Sequence, residues 1–201
     1  MASTARTAPN LKFSHMGLSC KDVVPMEAFY TGVLGFTVTD RGFAEGMDLI
    51  FLSRDPNDHH QIVLASGRPD EMPANTRHPQ FGPSINQISF LMGDLADIRD
   101  MHTRLQEGGA SNIFPANHGI AWSIYCHDPE GNNLEFFMDT EWYFPQPFLI
   151  PLDLSKTDAE LYELTHDIAQ SQEGFVPYPE WRSRIAKKMT PFVAPTKPLA
   201  N

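Results

Sequence analysis

The chain has 201 residues, of which 41% are hydrophobic and 20% charged, a composition typical of a folded globular protein with one domain or two small modules. Its formal net charge of −10 argues against nucleic acid or an anionic membrane as the main partner. The two cysteines, Cys20 and Cys126, form no CxxC pair, which fits a reducing compartment. Because the start, MASTARTAPN, has no apolar stretch and no uncharged apolar run reaches about 18 residues, we expect a cytoplasmic protein without a membrane span.

The first part of the chain predicts a module of four strands and one helix. Residues 1–10 are expected to form a flexible arm, and residues 11–66 to form a βαβββ module. Apolar residues recur at helical spacing before Gly35, which supplies a natural end for the helix. The predicted elements are a strand at 11–19, a helix at 22–34, and strands at 36–41, 47–53 and 59–65.

The same order of elements recurs after a linker. Residues 67–83 are rich in Gly, Pro, Asn and Asp, and residues 84–140 again predict a βαβββ module. Because a repeated unit indicates that neither copy closes its own core, we expect the two modules to pair across a shared interior. The predicted elements are a strand at 85–92, a helix at 95–105, and strands at 110–114, 120–126 and 132–138.

The remaining residues, 141–201, predict a C-terminal extension. An aromatic and proline-rich stretch, WYFPQPFLIP, is expected to cover one mouth or edge of the fold. Helices near 157–170 and 179–188 follow it. The sequence therefore predicts an α+β fold in which two paired βαβββ modules form a curved, trough-like mixed sheet with a C-terminal helical extension.

The stretch DPEGNNLEFF, from Asp128 to Phe137, predicts a turn followed by a strand. Side chains alternate between the faces of a strand, so Glu135 lies opposite to Leu134 and Phe136. A carboxylate in an apolar strand is costly to bury without a cation. Glu135 is therefore either a cation ligand or a residue on the wet face of an edge strand.

Glu135 has two candidate partners in the first strands of the two modules. His15 lies in the first strand of one module, and Gln87 lies at the corresponding place in the other. If a pseudo-twofold relates the modules, the three positions converge inside the trough. Histidine and carboxylate on rigid strands are a common way to hold a reactive divalent metal. The alternatives are a hydrogen-bonded core histidine and an ordinary half-buried polar residue.

Further histidines and a tyrosine are candidates for acid–base work. His59 and His60 open the strand HHQIVLA, and alternation points only one of them inward. His118 lies in the loop NHG and Tyr125 in the strand SIYCHD. A histidine with a pKa of about 6.5 suits the removal of a phenolic proton, and a tyrosine hydroxyl can donate to an oxyanion. The alternatives are a surface loop histidine and a strand aromatic with its hydroxyl at the rim.

Together these segments resemble the vicinal-oxygen-chelate superfamily of glyoxalases, bleomycin resistance proteins and dioxygenases. Within it they are most similar to the one-domain type I extradiol ring-cleavage dioxygenases. The resemblance covers about residues 11–145 and rests on FSHMGL, HHQIVLA and NHGIAWSIYCHDPEGNNLEFF. It implies that the metal ligands are His15 and Glu135, that the base is His60, and that His118 and Tyr125 contact the substrate.

The sequence departs from this family at one ligand position. Where the dioxygenases carry a second histidine, this chain has Gln87, whose amide oxygen can coordinate a metal as in the glyoxalase I branch. A neutral oxygen in place of an imidazole nitrogen weakens the binding of Fe(II) or Mn(II) and alters the reactivity of the metal towards O2. The resemblance implies Fe(II), with Mn(II) or another divalent metal as the alternative.

The resemblance also implies a homo-oligomeric enzyme that opens the ring of a small aromatic diol, such as 2,3-dihydroxybiphenyl, with O2. We expect Phe51, Trp122 and Phe144 to form a pocket for the apolar ring. Two other functions stay open. Gln87 favours a non-redox metal-dependent isomerase or lyase of the glyoxalase type, which consumes no oxygen. The second is a module that binds an aromatic ligand without turnover and without a stoichiometric metal.

Overall fold

The computed structural model describes residues 12–72, 85–189 and 193 of the chain. The α+β class, the two βαβββ modules and the C-terminal helical extension are confirmed. The arm predicted at 1–10, most of the linker predicted at 67–83 and most of the last ten residues lie outside the described part, and the module boundaries stay predictions.

The first module has the predicted order of elements. Its helix begins after Asp22, whose carboxylate accepts the Val24 N–H (2.9 Å). The helix ends in a π-helical turn because the Leu34 N–H bonds to the carbonyl of Phe29, five residues earlier. The elements are β1 (Met16–Ser19), α1 (Val23–Ala28), the π-helical turn (Phe29–Val33), β2 (Thr37–Ala44), β3 (Met47–Ser53) and β4 (Ile62–Ala65).

The strand β4 begins three residues later than predicted. A tight turn at residues 55–58 precedes it, and pairing with β3 starts where the Gln61 N–H bonds to the Leu52 carbonyl (2.8 Å). His59 and His60 therefore lie in the loop before β4 instead of opening the strand.

The second module repeats this arrangement. Its helix begins after Asp94, whose carboxylate accepts the Asp97 N–H (2.8 Å), and it ends at Gly108 as the GG pair predicts. The elements are β5 (Ile88–Leu91), α2 (Leu95–Glu107), β6 (Ser111–Asn117), β7 (Ala121–His127) and β8 (Asn133–Asp139).

The C-terminal extension adds short strands and two helices. The helix predicted near 157–170 begins with a capping box formed by Thr157 and Glu160. None of the helices in the described part of the chain has the length and apolarity needed to cross a membrane. The elements are β9 (Trp142–Tyr143), β10 (Ile150–Pro151), α3 (Asp158–Gln170), β11 (Val176–Pro177) and α4 (Tyr178–Ala186).

The strands of the two modules form two mixed sheets. The first has the order β1-β4-β3-β2, and the second has the order β10-β6-β7-β8-β5. In each module the first strand runs parallel to the last, β1 with β4 and β5 with β8. His15 and Gln87 each lie one residue before these parallel strands, so the two positions correspond as the sequence predicts.

Each sheet turns one of its two faces towards the buried core. On β7 and β8 the side chains of Ile124 and Phe136 belong to a buried cluster that spans both modules. The alternate residues Tyr125 and Glu135 pair across the same strands and point the other way. This alternation places the candidate site on the face of the sheet that α2 does not cover.

The DPEG turn fixes the second module to the first. The Glu130 carboxylate accepts the backbone N–H groups of Lys21 (2.7 Å) and Asp22 (3.1 Å) at the start of α1. Its other oxygen pairs with Arg68 (3.0 Å), and both side chains are nearly buried. The turn therefore joins the second module to the start of α1 through two backbone hydrogen bonds, and to Arg68, just after the first module, through an ion pair.

Candidate metal and substrate site

The carboxylate of Glu135 is the centre of the site. It is 8% exposed, and its strand β8 lies between β7 and β5, so Glu135 does not lie on an edge strand. Its Oε1 accepts hydrogen bonds from Ser123 Oγ (2.8 Å) and the Tyr125 hydroxyl (2.7 Å). Its Oε2 accepts hydrogen bonds from Ser89 Oγ (2.6 Å) and Gln87 Nε2 (2.8 Å). Four donors to one carboxylate offset much of the cost of burying its charge.

His118 extends this network towards the C-terminal extension. Its Nδ1 lies 2.8 Å from the Phe148 carbonyl, an acceptor, so Nδ1 carries a proton. Its Nε2 lies 3.0 Å from the Tyr125 hydroxyl. The Tyr125 hydroxyl donates its one proton to Glu135, and its oxygen faces His118 Nε2. His118, Tyr125 and Glu135 are therefore joined in one hydrogen-bonded chain.

The first module contributes a second cluster. His15 is exposed, and its ring centroid lies 4.2 Å from that of His60. The Phe51 ring lies 5.3 Å from His60, and His59 Nδ1 lies 2.9 Å from His60 Nδ1. The pKa of His60 is lowered by burial first and then by the nearby charges of His15 and His59. A lowered pKa keeps the His60 imidazole neutral, which is the form that accepts a proton.

Two of the residues predicted to bind the apolar ring lie elsewhere. Trp122 is fully buried on the core face of β7, where its Nε1 donates to Thr165 Oγ1 of α3 (2.9 Å). Phe144 is 2% exposed and packs against Gly119, where an added Cβ would lie 2.3 Å from the phenylalanine ring. Trp122 therefore anchors α3, and Phe144 supports the loop that carries His118. Of the three predicted pocket residues, Phe51 alone is beside a predicted catalytic residue on the open side of its sheet.

The geometry of Gln87 and Glu135 shows whether these two residues could bind a divalent metal. Gln87 and Glu135 are in contact at 2.8 Å, close to the separation of about 3 Å between adjacent oxygen ligands of an octahedral ion. Rotation of the Gln87 amide by 180° would turn its oxygen towards such an ion. A cleft of about 780 Å³ between the modules is lined by Gln87 and by Ser14 and Met16, the neighbours of His15. The oxygen donors of Gln87 and Glu135 therefore fit a divalent cation.

The third expected ligand is not in contact with the other two in this arrangement. The His15 ring hydrogen-bonds to Ser14 (3.2 Å) and packs on His60. Within residues 12–72, 85–189 and 193, no group of three His, Cys, Asp or Glu side chains is arranged to hold a metal ion. Of the three expected ligands only His15 and Glu135 belong to these residue types, because the third is the amide of Gln87.

A second cavity of about 350 Å³ opens beside Glu135. Tyr178 of α4 reaches this cavity from the C-terminal extension, and burial, followed by the negative charge of Asp139, raises its pKa. A volume of this size lies at the lower end of the range for small-molecule sites. Its lining residues are Ser89, His118, Ile120, Ala121, Tyr125, Glu135, Phe137, Asp139, Gln146 and Tyr178.

Comparison with known proteins identifies the family. The family model described as the glyoxalase/bleomycin resistance protein/dioxygenase superfamily matches residues 12–136, which is more than half of the chain. The chain belongs to this superfamily. A crystal structure of a glyoxylase/bleomycin resistance protein/dioxygenase domain from Frankia sp. EAN1pec shares the fold, with a TM-score of 0.55 at 21% identity over 65% of this chain and 93% of that one.

Two curated relatives within the superfamily are dioxygenases. The chain is 27% identical over 132 residues to biphenyl-2,3-diol 1,2-dioxygenase 3 of Rhodococcus globerulus. It is 29% identical over 128 residues to biphenyl-2,3-diol 1,2-dioxygenase 2 of the same organism. Each match covers 64% of this chain and 63% of the length of the relative.

The site of this superfamily member includes residues that the sequence analysis missed. Ser89 and Ser123 both donate to Glu135. Strand alternation carries a signal for them, because each lies two residues from a predicted site residue and shares its face. Tyr178 carries no such signal, since only the packing of the C-terminal extension brings it to the cavity.

Proposed function

We propose that this protein is a metal-dependent extradiol dioxygenase that opens the ring of a catechol with O2. The observation that carries the proposal is the convergence of Gln87, Tyr125 and His118 on the buried carboxylate of Glu135. The two biphenyl-2,3-diol 1,2-dioxygenases support the same chemistry. The substrate class is a small aromatic diol of the 2,3-dihydroxybiphenyl type.

Gln87, Glu135 and His15 would hold the metal, with Fe(II) as the preferred ion and Mn(II) or another divalent ion as the alternative. When bound, such an ion supplies chelation of the two diol oxygens and the redox chemistry with O2. In the overall reaction the ring bond beside the diol breaks, both atoms of O2 enter the product, and no external reductant is consumed. The product is a muconic semialdehyde type of acid.

The chain's own residues would handle protons and charge. His60, kept neutral by its lowered pKa, is the base that takes a phenolic proton from the diol. The Tyr125 hydroxyl and His118 Nε2 lie 3.0 Å apart and would donate to the oxyanions that develop on the substrate. Phe51, whose ring lies 5.3 Å from that of His60, is the predicted pocket residue that lies beside the proposed base.

The experiment is a ring-cleavage assay on protein loaded anaerobically with Fe(II). On addition of O2 and 2,3-dihydroxybiphenyl or 3-methylcatechol, we expect a yellow ring-fission product and the uptake of one O2 per diol. Glu135→Gln should abolish both signals, and Glu163→Gln, on the exposed face of α3, should retain them. Absence of ring-fission absorbance with every catechol tested, at a measured stoichiometric metal content, would overturn the proposal.

One observation favours a second function. Gln87 supplies an amide where a dioxygenase of this type carries histidine, and its contact with Glu135 suits an oxygen-rich site for a Lewis-acid ion. Such a site would serve a non-redox isomerase or lyase of the glyoxalase type. This function predicts turnover without oxygen consumption, so an oxygen electrode separates it from ring cleavage.

A further inference from the structure

We propose that Tyr178, in the first turn of α4, is a specificity-determining residue that forms the outer wall of the substrate pocket. The inference rests on the proposed function and deepens it, because it assigns the choice of ring substituent to the C-terminal extension. Four observations on the cavity beside Glu135 carry it.

The cavity has a polar inner end and a distinct outer end. Glu135, Phe137 and Asp139 are alternate residues of β8 and line one side of it in that order. At about 3.3 Å per residue, Asp139 lies about 13 Å along the strand from Glu135. A diol whose hydroxyl groups are held at Glu135 therefore directs its ring past Phe137, and any substituent on the ring towards Asp139 and Tyr178.

The polar groups at the outer end already have protein partners. The Asp139 carboxylate accepts a hydrogen bond from Arg182 (2.9 Å). The Gln146 amide donates to the His118 carbonyl (3.2 Å) and accepts from the Phe148 N–H (3.0 Å). Because these groups already have partners within the protein, recognition at this end depends on shape and on the aromatic surface of Tyr178 more than on new hydrogen bonds.

The Tyr178 side chain is fixed in place from several directions. Its backbone N–H bonds to the Glu141 carbonyl (2.8 Å), and the Arg182 guanidinium lies 4.4 Å from the centre of its ring. The ring of Trp181 lies 5.3 Å from that of Tyr178 and stacks on Tyr143 at 4.7 Å. A half-buried aromatic ring that is held in one position and faces a cavity is well suited to select a ligand by shape.

The helix that carries Tyr178 has little role in the core. The described side chains of α4 include no buried residue, and the helix contacts the rest of the chain mainly through β9 and β11. The packing of α4 on the second module therefore serves to position Tyr178 at the cavity. Removing the ring of Tyr178 should lengthen the pocket at its outer end and leave the Glu135 end unchanged.

The test compares a bulky diol with a small one. For 2,3-dihydroxybiphenyl and 3-methylcatechol, both kcat/KM and the dissociation constant under anaerobic conditions are measured on Fe(II)-loaded protein. We expect Tyr178→Ala to shift the preference at least fivefold towards the bulkier diol in both measurements. Tyr178→Phe, which keeps the ring wall, should hold the preference within twofold of the wild type.

Arg184→Gln is the control for changes elsewhere on α4. It removes an exposed ion pair with Glu180 on the same helix and is not part of the cavity lining, so it should leave the preference within twofold. An unchanged preference in Tyr178→Ala, or an equal shift in Arg184→Gln, would overturn the role of Tyr178. Far-ultraviolet circular dichroism and thermal melting check that each variant is folded.

The outcomes also separate this inference from the proposed function. Turnover of both diols with no change of preference in Tyr178→Ala would overturn the inference alone. Binding with the expected shift in dissociation constants, but with no ring cleavage, would support the inference and overturn the dioxygenase function. Failure of the folded, metal-loaded wild type to bind either diol would overturn both.

Discussion

The amide of Gln87 donates a 2.8 Å hydrogen bond to the carboxylate of Glu135, although 48 positions separate the two residues in the chain. The contact follows from topology, because β5 runs parallel to β8 and places Ser89 directly opposite Glu135. Gln87 lies two residues before Ser89 and therefore on the same face of the sheet. The chain thus places an amide, and not an imidazole, beside the buried carboxylate.

Gln87→His should strengthen binding of Fe(II). An imidazole nitrogen is a better ligand than a neutral amide oxygen for first-row transition metals, so we expect an affinity gain of at least about tenfold. Competition with a chelating dye under anaerobic conditions measures it. Gln170→His, which adds a histidine at the exposed end of α3, is the matched control and should give no gain. Equal Fe(II) affinity in Gln87→His and the wild type would show that residue 87 is not a ligand.

The sequence could predict these partners because strand alternation and the repeated module have strict geometry. The correspondence of His15 and Gln87, and the placement of Glu135 on the strand face opposite to Leu134 and Phe136, needed only the order of elements and a period of two. The edge-strand alternative for Glu135 could not be decided in the same way, since it depends on which strands pair beyond their neighbours in the chain. The structure decides it by placing β5 next to β8.

The two adjacent histidines should differ in their effect on turnover. His60→Gln removes the proposed base, and we expect kcat/KM for ring cleavage to fall by about 10²–10⁴. His59→Gln alters a mostly exposed side chain that contacts His60, and a fall of less than about tenfold is expected. Metal content must be equal in both variants for the comparison to be valid. Equal losses in the two variants would argue against His60 as the base.

Tyr125→Phe should break the hydrogen-bonded chain between His118 and Glu135. It removes one of four donors to the carboxylate and the hydroxyl 3.0 Å from His118 Nε2. Loss of a donor to developing negative charge costs about 10²–10³ in kcat, so a fall of that order with a smaller change in KM is expected. Tyr162→Phe, whose ring packs on Trp122 on the core face, serves as the control and should retain kcat. An unchanged kcat in Tyr125→Phe would contradict the role.

The sequence could not separate pocket residues from core residues among the aromatic side chains, and the reason is physical. An apolar or aromatic residue on a strand can serve the core or a pocket, and composition does not distinguish them. Trp122 faces the core because it alternates along β7 with Ser123 and Tyr125, which share the face of Glu135, and this alternation was available in the sequence. The position of Tyr178 at the cavity could not be predicted from the sequence, since it depends on the pairing of β11 with β9.

Glu130→Ala should destabilise the fold without touching the site. The carboxylate pairs with Arg68, the two side chains being 10% and 8% exposed, and accepts two backbone hydrogen bonds from the start of α1. Truncating one partner of a nearly buried ion pair costs about 3–5 kcal/mol. Urea denaturation measures the change, with Glu163→Ala as an exposed control expected within about 0.5 kcal/mol of the wild type. A loss in Glu130→Ala no larger than that of the control would contradict the role of the turn in joining the modules.

The two buried thiols should make the native protein sensitive to high pH. Burial, the largest cause in both cases, raises the pKa of Cys20 and of Cys126 from 9.0 to about 12. The folded state therefore keeps both protons at pH values where the unfolded chain has released them. This contribution to stability is complete below pH 9 and is lost as the pH rises from 9 towards 12.

Thiol titration and alkaline unfolding together test whether the buried thiols lower the stability of the fold as the pH rises. At pH 8 a thiol reagent should leave both cysteines unmodified in the native protein and modify both in urea, because the thiolate is the reactive form. Between pH 8 and 11 the free energy of unfolding should fall, and it should fall less steeply in the double variant Cys20→Ala, Cys126→Ala. That variant also shows how much of the slope comes from Tyr30, whose buried hydroxyl has a raised pKa and acts in the same direction. Rapid modification of the native protein at pH 8 would contradict the burial of the thiols.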